Sequence, residues 1–231
     1  MENYIYGKNV VKIALDSKKV NIKEIYLSEN VSNDFDSKLN VKYVKKSFLD
    51  DLTHKANHQG IVAKIEGYNY LGFSDFESKY KDKDQINVAI LDQITDAGNF
   101  GAIIRSAYSF GVDAIFILDK RQSLVTPVTH KTSAGASLLI DIVKVKNLNN
   151  LTSKLKDLGF WIYATDLKTN DYLSDVDFDK KSCVVIGSEG KGVSPLLLKN
   201  SDFIFKIKMK NNFDSLNASV AASIIFHHLS K

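Results

Sequence analysis

From Asn87 onward the chain alternates short apolar runs with stretches long enough for helices. The runs fall at residues 88–91, 114–118, 142–145, 160–164 and 183–186. Continuously apolar runs suit strands covered on both faces, and the intervening helices supply that cover. The pattern therefore predicts an α/β domain built on a parallel sheet. Thr126-Pro127 and Ser194-Pro195 mark two helix starts, each a capping residue followed by proline at the first helical position. Phe205, Ile207 and Met209 alternate as in a strand with one buried face. A last helix is expected from near Ser215, with Leu216, Val220 and Ile224 as its apolar stripe.

A smaller α/β unit precedes this domain. Val10, Val11, Ala14 and Leu15 have helical spacing, and strands are expected at 24–27, 41–44 and 61–65 with a short helix around Phe48, Leu49 and Leu52. Residues 69–85 are rich in charge, with Ser78-Lys79-Tyr80-Lys81-Asp82-Lys83-Asp84 at their centre, and read as a solvated linker. The expected organisation is residues 1–70, a linker at 71–86, and residues 87–231. A chain beginning near Lys83 is expected to fold by itself.

With 231 residues, 44% of them hydrophobic, the chain has material for a core of this size. A net charge of +4 permits an RNA partner without requiring one. Of 31 basic residues only Arg105 and Arg121 are arginine, so a site that needs a planar fork has few candidates. Cys183 is the sole cysteine, lies in an apolar run, and excludes an intrachain disulfide. The start carries no signal-peptide pattern and no apolar run approaches membrane-spanning length, so a cytoplasmic protein with no membrane association is expected. No histidine, cysteine or carboxylate spacing matches a metal site.

Three segments carry candidate chemistry. The first, Leu91 to Ala107, joins a strand end to a helix expected near Asn99, the place where open α/β sheets bind ligands. Gly101, one turn before Arg105, leaves room for a ligand or a second backbone. The second, Gly187-Ser188-Glu189-Gly190-Lys191-Gly192, is a glycine turn after a buried strand where backbone can approach a ligand. It is neither a Walker loop nor a dinucleotide fingerprint. The third is Ser215-Leu216-Asn217-Ala218-Ser219-Val220-Ala221, where Ser215 also suits a helix cap and the alanines suit close packing.

Together and in this order, the segments resemble the three motifs of the SpoU/TrmH methyltransferases of the SPOUT superfamily. Asn99 to Ala107 matches Asn-x-Gly-Ala-x-x-Arg-Ser/Thr-Ala, Gly187 to Gly192 matches Gly-x-Glu-Gly-x-Gly, and Ser215 to Ala221 matches Ser-Leu-Asn-x-Ser-Val-Ala. Departures stand at Ala97-Gly98, Lys208 and Asn211. His58-Gln59-Gly60-Ile61-Val62-Ala63 resembles the end of the ribosomal-protein-like RNA-binding domain of enzymes that methylate a guanosine ribose in large-subunit ribosomal RNA.

The resemblance implies a trefoil-knotted α/β domain, a homodimer whose sites borrow residues across the interface, and S-adenosylmethionine as cofactor. It implies methyl transfer to a ribose 2′-hydroxyl of RNA, with ribosomal RNA preferred over transfer RNA. Cofactor contacts would fall at Thr165, Gly187, Ile207 and Leu216, and the catalytic surface at Asn99, Arg105, Glu189, Ser215 and Asn217. The family assigns proton removal to the motif-one arginine. A guanidinium with a pKa above about 12 is a poor base, so stabilising a developing alkoxide is the alternative role. A non-catalytic RNA-binding protein on the same scaffold is the rival from another class.

Overall fold

The structure, a computed structural model, describes residues 3–17, 19–32, 39–211 and 215–231. The N-terminal unit runs β1 (Asn3–Tyr6), α1 (Lys8–Asp16), β2 (Ile22–Ser28), β3 (Val41–Val44), α2 (Lys46–Leu52) and β4 (Ile61–Ile65). Its four-stranded sheet has the order β1-β4-β2-β3. Helix α1 buries Val10, Val11 and Ala14 against Ile5, Ile25, Leu27 and Ala63, and Leu49 of α2 packs on the opposite face with Tyr6, Tyr26 and Val62. The sequence reading missed β1, because four residues before Gly7 are too few to show a period.

The expected solvated linker folds. Residues Phe73–Tyr80 form α3, in which Phe76 is fully buried and meets Phe116 edge-on at 4.8 Å. Phe73, Phe76 and Tyr80 repeat at helical spacing, a stripe hidden among the charges. The preceding residues also dock: Leu71 bridges to Val143, Tyr68 Oη donates to the Ser137 carbonyl at 2.6 Å, and Tyr70 Oη accepts from Val125 N at 2.8 Å. Leu138 sits in the N-terminal core. A chain beginning at Lys83 would lose the cover of Phe116 and leave Leu138 without its partners. The expectation that it folds unaided is therefore withdrawn.

The second unit runs β5 (Ile86–Asp92), α4 (Ala97–Ser109), β6 (Ala114–Leu118), α5 (Pro127–Thr132), β7 (Asp141–Val145), α6 (Leu148–Asp157), β8 (Trp161–Thr165), β9 (Lys181–Gly187), α7 (Pro195–Asn200), β10 (Phe203–Phe205) and α8 (Ala218–Leu229). All six strands are parallel, in the order β10-β8-β9-β5-β6-β7. The chain builds outward from β5 to β7, then returns to the other side of β5. The order thus switches between β5 and β9, and a ligand crevice belongs at their carboxyl ends. Helices α4 and α8 cover one face, and α3, α6 and α7 the other. Both proline-marked helix starts are present, and Thr126 Oγ1 accepts from Thr129 N as a cap.

Three local expectations are corrected. Strand β10 ends at Phe205, and Ile207 and Met209 turn toward a pocket instead of continuing a ladder. Helix α8 begins at Ala218, not Ser215, with Asn217 as its cap. Its buried residues are Ala218, Ala222, Ile225, Phe226 and Leu229, whereas Val220 and Ile224 are exposed at 47% and 39%. No helix among the described residues is long and apolar enough to cross a membrane.

Candidate active site

The three sequence segments converge at the carboxyl ends of β5 and β9. Asp96 Oδ1 accepts from Asn99 N at 2.7 Å and caps α4, so the helix starts at Ala97 and the Asn99 side chain is free for other work. Asn217 caps α8 through its carbonyl, Oδ1 accepting from Ser219 N at 2.9 Å. Its amide is left over. That Nδ2 donates to Asn99 Oδ1 at 3.0 Å and also to Glu189 Oε1. Asn99 Nδ2 donates to the same Glu189 oxygen at 3.0 Å. One carboxylate oxygen of the second segment is thus held by residues of the first and the third. Glu189 Oε2 has no protein partner among the described residues.

The loop that carries Glu189 folds back on itself. Gly192 N donates to the Ser188 carbonyl at 2.8 Å, and Gly192 takes φ +64°, a left-handed value that glycine adopts freely. A Cβ on Gly187 would overlap the Gly192 carbonyl carbon and Val193 nitrogen. Glycine is required at 187 by this close backbone approach, with or without a ligand.

Two cavities meet at the loop. One, of about 310 Å³, is lined by Thr165, Gly187, Ile207 and Leu216, the four residues named for cofactor contact, and also by Glu189 and Ser215. Ile186, Val193 and Ile225 give it apolar walls, the turn at 187–192 gives it backbone polar groups, and Asp166 and Lys168 stand at its side. The other, of about 350 Å³, is lined by Gln93, Thr95, Asp96 and Asn99 and shares Ser188, Glu189, Gly190, Lys191 and Ala218 with the first. The sequence reading includes Gln93 and Asp96 in its first segment but assigns neither a role. Gln93 takes φ +60°, a backbone strain of the kind found near functional sites and invisible in residue type. The first cavity has the size and the mixed apolar and backbone-polar lining that a nucleoside-bearing cofactor such as S-adenosylmethionine requires.

Arg105 does not join this cluster. It is exposed, six residues beyond Asn99 on α4, about 9 Å along the axis and about 240° around it. Its guanidinium makes no hydrogen bond or ion pair among the described residues. The space expected beside it at Gly101 is taken by the chain itself: a Cβ there would overlap Thr132 Oγ1 and come within 2.9 Å of the Thr129 carbonyl. Gly101 lets α5 approach α4, so the second-backbone reading holds and the ligand reading does not.

Known proteins resemble this chain in sequence and in fold. Residues 86–227 match the model of the SpoU rRNA methylase family, and residues 4–71 match that of RNA 2′-O ribose methyltransferase substrate binding. A Staphylococcus aureus protein named as a TrmH family tRNA/rRNA methyltransferase is 37% identical over 229 residues, 99% of this chain and 91% of its own length. The AdoMet complex of the SpoU methyltransferase AviRb from Streptomyces viridochromogenes superposes with TM-score 0.83 at 20% identity, over 99% of this chain and 89% of that one. An AdoMet-bound rRNA methyltransferase from Sinorhizobium meliloti gives 0.83 at 21% identity, over 98% and 86%. The TrmH/SpoU tRNA modifying enzyme of A. aeolicus gives 0.57 at 25% identity, over 68% of this chain and 82% of its own. With a family match across most of the chain and its three segments gathered around one carboxylate, the chain belongs to the SpoU rRNA methylase family, as an RNA methyltransferase that uses S-adenosylmethionine.

Proposed function

We propose that the chain methylates a ribose 2′-hydroxyl, most specifically that of a guanosine in large-subunit ribosomal RNA. The observation that carries this reading is Glu189, fixed by Asn99 and Asn217 on the wall between the two cavities. S-adenosylmethionine, held by Thr165, Gly187, Ile207 and Leu216, supplies a methyl group activated by its sulfonium. The target nucleotide occupies the second cavity. Glu189, Asn99 and Asn217 orient its ribose, with Ser215 at the cofactor side, and positioning of this kind supplies much of the rate.

A developing alkoxide needs a cation beside it, and Arg105 is too far round α4 to serve its own cluster. A homodimer resolves this. Helices α4 and α8 meet through Ser106 and Ser223, and their exposed residues Arg105, Tyr108, Val220 and Ile224 offer a surface suited to a second copy of the chain. Across that contact Arg105 enters the partner's site, where its fork holds phosphate and stabilises the oxyanion. The ribosomal preference is supported by the N-terminal unit: the rRNA methyltransferase from S. meliloti shares it, while the tRNA modifying enzyme matches only 68% of this chain.

Mass-spectrometric mapping of ribose methylation tests the reading. Large-subunit ribosomal RNA and bulk transfer RNA are treated separately with enzyme and S-adenosylmethionine. One new 2′-O-methylguanosine in the ribosomal RNA is expected. Methylation confined to transfer RNA overturns the substrate, methylation of a base overturns the ribose target, and cofactor binding with no methylation of either RNA favours a non-catalytic binder.

A further inference from the structure

We propose that a lysine-lined cleft at the carboxyl end of β7 holds the phosphate backbone of the RNA substrate, a contact made by the catalytic unit rather than by the N-terminal one. The proposal rests on the RNA-methyltransferase reading above. The cleft, of about 300 Å³, lies between the start of α3 and one side of α6 from its N-cap Asn147 to Lys154, with Lys144, Lys146 and Lys154 on its walls and Phe73, Asn147 and Asn150 beside them.

The three lysines differ from others of the described residues. Lys19, Lys23, Lys42, Lys79, Lys83 and Lys156 each sit on a carboxylate. Lys144, Lys146 and Lys154 have no carboxylate within ion-pair distance among the described residues. Lys144 stands over the Tyr70 ring at 4.6 Å and Lys154 over the Phe73 ring at 4.9 Å. Those rings set where the two ammonium groups stand without neutralising them. Helix α6 runs for ten residues and its N-terminus opens at Asn147, so its unsatisfied N–H groups and dipole add positive potential at the same place. Point charges, amide donors and a helix start together suit an anion, and a chain of phosphates uses all three lysines at once.

Location makes the anion RNA. The cleft shares the carboxyl edge of the sheet with the Glu189 loop. It lies three strand spacings away, from β9 through β5 and β6 to β7, or about 14 Å. Lys120 and Arg121, both exposed, follow β6 in between. On the other side, Leu71, which follows the N-terminal unit, bridges to Val143 along the free side of β7, so the chain leaves that unit beside the strand whose end carries the cleft. An RNA strand held by the N-terminal unit and entering the site at Glu189 passes the cleft.

The test compares the whole enzyme with Lys144→Gln/Lys146→Gln/Lys154→Gln. A control carries Lys81→Gln/Lys180→Gln/Lys199→Gln, three exposed lysines near the amino ends of strands or in the turn leading to them. Binding of transcribed large-subunit ribosomal RNA is measured across salt concentrations, with S-adenosylmethionine affinity and melting temperature as folding controls. Neutralising three phosphate contacts should flatten the slope of log affinity against log salt by about 2 and weaken binding at least tenfold near physiological salt. The control should lose far less, and all three proteins should bind the cofactor equally. A cleft variant that matches the unsubstituted enzyme, or loses no more than the control, overturns the cleft. If the unsubstituted enzyme neither binds nor methylates RNA, the functional reading fails instead. Loss of cofactor binding in the cleft variant overturns the assignment to RNA alone.

Discussion

The two ends of the six-stranded sheet use the same residue types in opposite ways. At the amino end three aspartates are closed by partners. Asp113, before β6, accepts from Asn87 N at 3.0 Å and pairs with Lys83. Asp202, before β10, accepts from Ile162 N at 2.8 Å and pairs with Lys156. Asp141, opening β7, is nearly buried and takes Lys19, Lys79 and Tyr80. Burial pushes its carboxyl up, but those three partners outweigh burial and hold it below the usual carboxylate range. At the carboxyl end Glu189 is held by neutral amides, and the cleft lysines, like Arg105 further along α4, have no carboxylate within ion-pair distance among the described residues. Charges that close on one another make architecture, and charges left open are available to a substrate. Residue type does not distinguish the two, because pairing is a property of the folded chain.

Breaking each end should therefore damage different things. The largest effect is expected among the open charges. Arg105→Ala should lower turnover by roughly 10²–10³, the scale for one oriented transition-state donor, with an unchanged melting temperature. Arg105→Lys should recover little, since one ammonium does not reproduce the fork. Single-turnover methylation measures both, and near-normal activity of the lysine variant would reduce the requirement to charge alone.

At the closed end, Asp141→Asn should cost about 3 kcal/mol of stability, because a nearly buried Lys19 loses its counter-charge. The figure is at the low end for such a break because Lys79 is half exposed. Urea denaturation reads the loss, and cofactor affinity below the transition should be unchanged. A variant as stable as the parent would show that the cluster contributes nothing net.

Acid separates a second buried group from the site. His130, on α5, hydrogen-bonds Ser137 Oγ at 2.8 Å beside the Tyr68 ring, and burial pushes its pKa down to about 4. The unfolded chain binds this proton more readily, near pH 6.5, so stability rises with pH between those values. The contribution is complete above about pH 6.5, falls as pH drops, and totals about 3 kcal/mol lost by pH 4. His130→Gln removes the titration. The stability difference between parent and variant should change across this window and be flat above it, and a difference independent of pH would assign the group no such role.

Much of the fold is legible in the sequence. The five apolar runs of the catalytic unit became β5 to β9, and both capped prolines began helices. Periodicity and capping act within a few residues, so they leave a local trace. Short or masked elements left none: β1 is four residues long, and the stripe Phe73, Phe76, Tyr80 lay among charges. At the site, the four cofactor residues and Asn99, Glu189, Ser215 and Asn217 do gather, but Arg105 stands apart on the exposed face of α4.

What the sequence determined by itself is the alternation of strand and helix, the placing of glycine where a turn must be tight, and three motifs whose residues share one chemistry. Those features follow from local sterics, periodicity and side-chain type. Only the tertiary structure decided the strand order that sets β5 beside β9, and with it the meeting of Asn99, Glu189 and Asn217 from positions far apart in the chain. It also decided that Val220 and Ile224 face outward and that Lys79 is paired while Lys146 has no carboxylate partner among the described residues. Each of these depends on which distant residue lies opposite, and that is settled when the sheet assembles and buries the most apolar surface its connections allow.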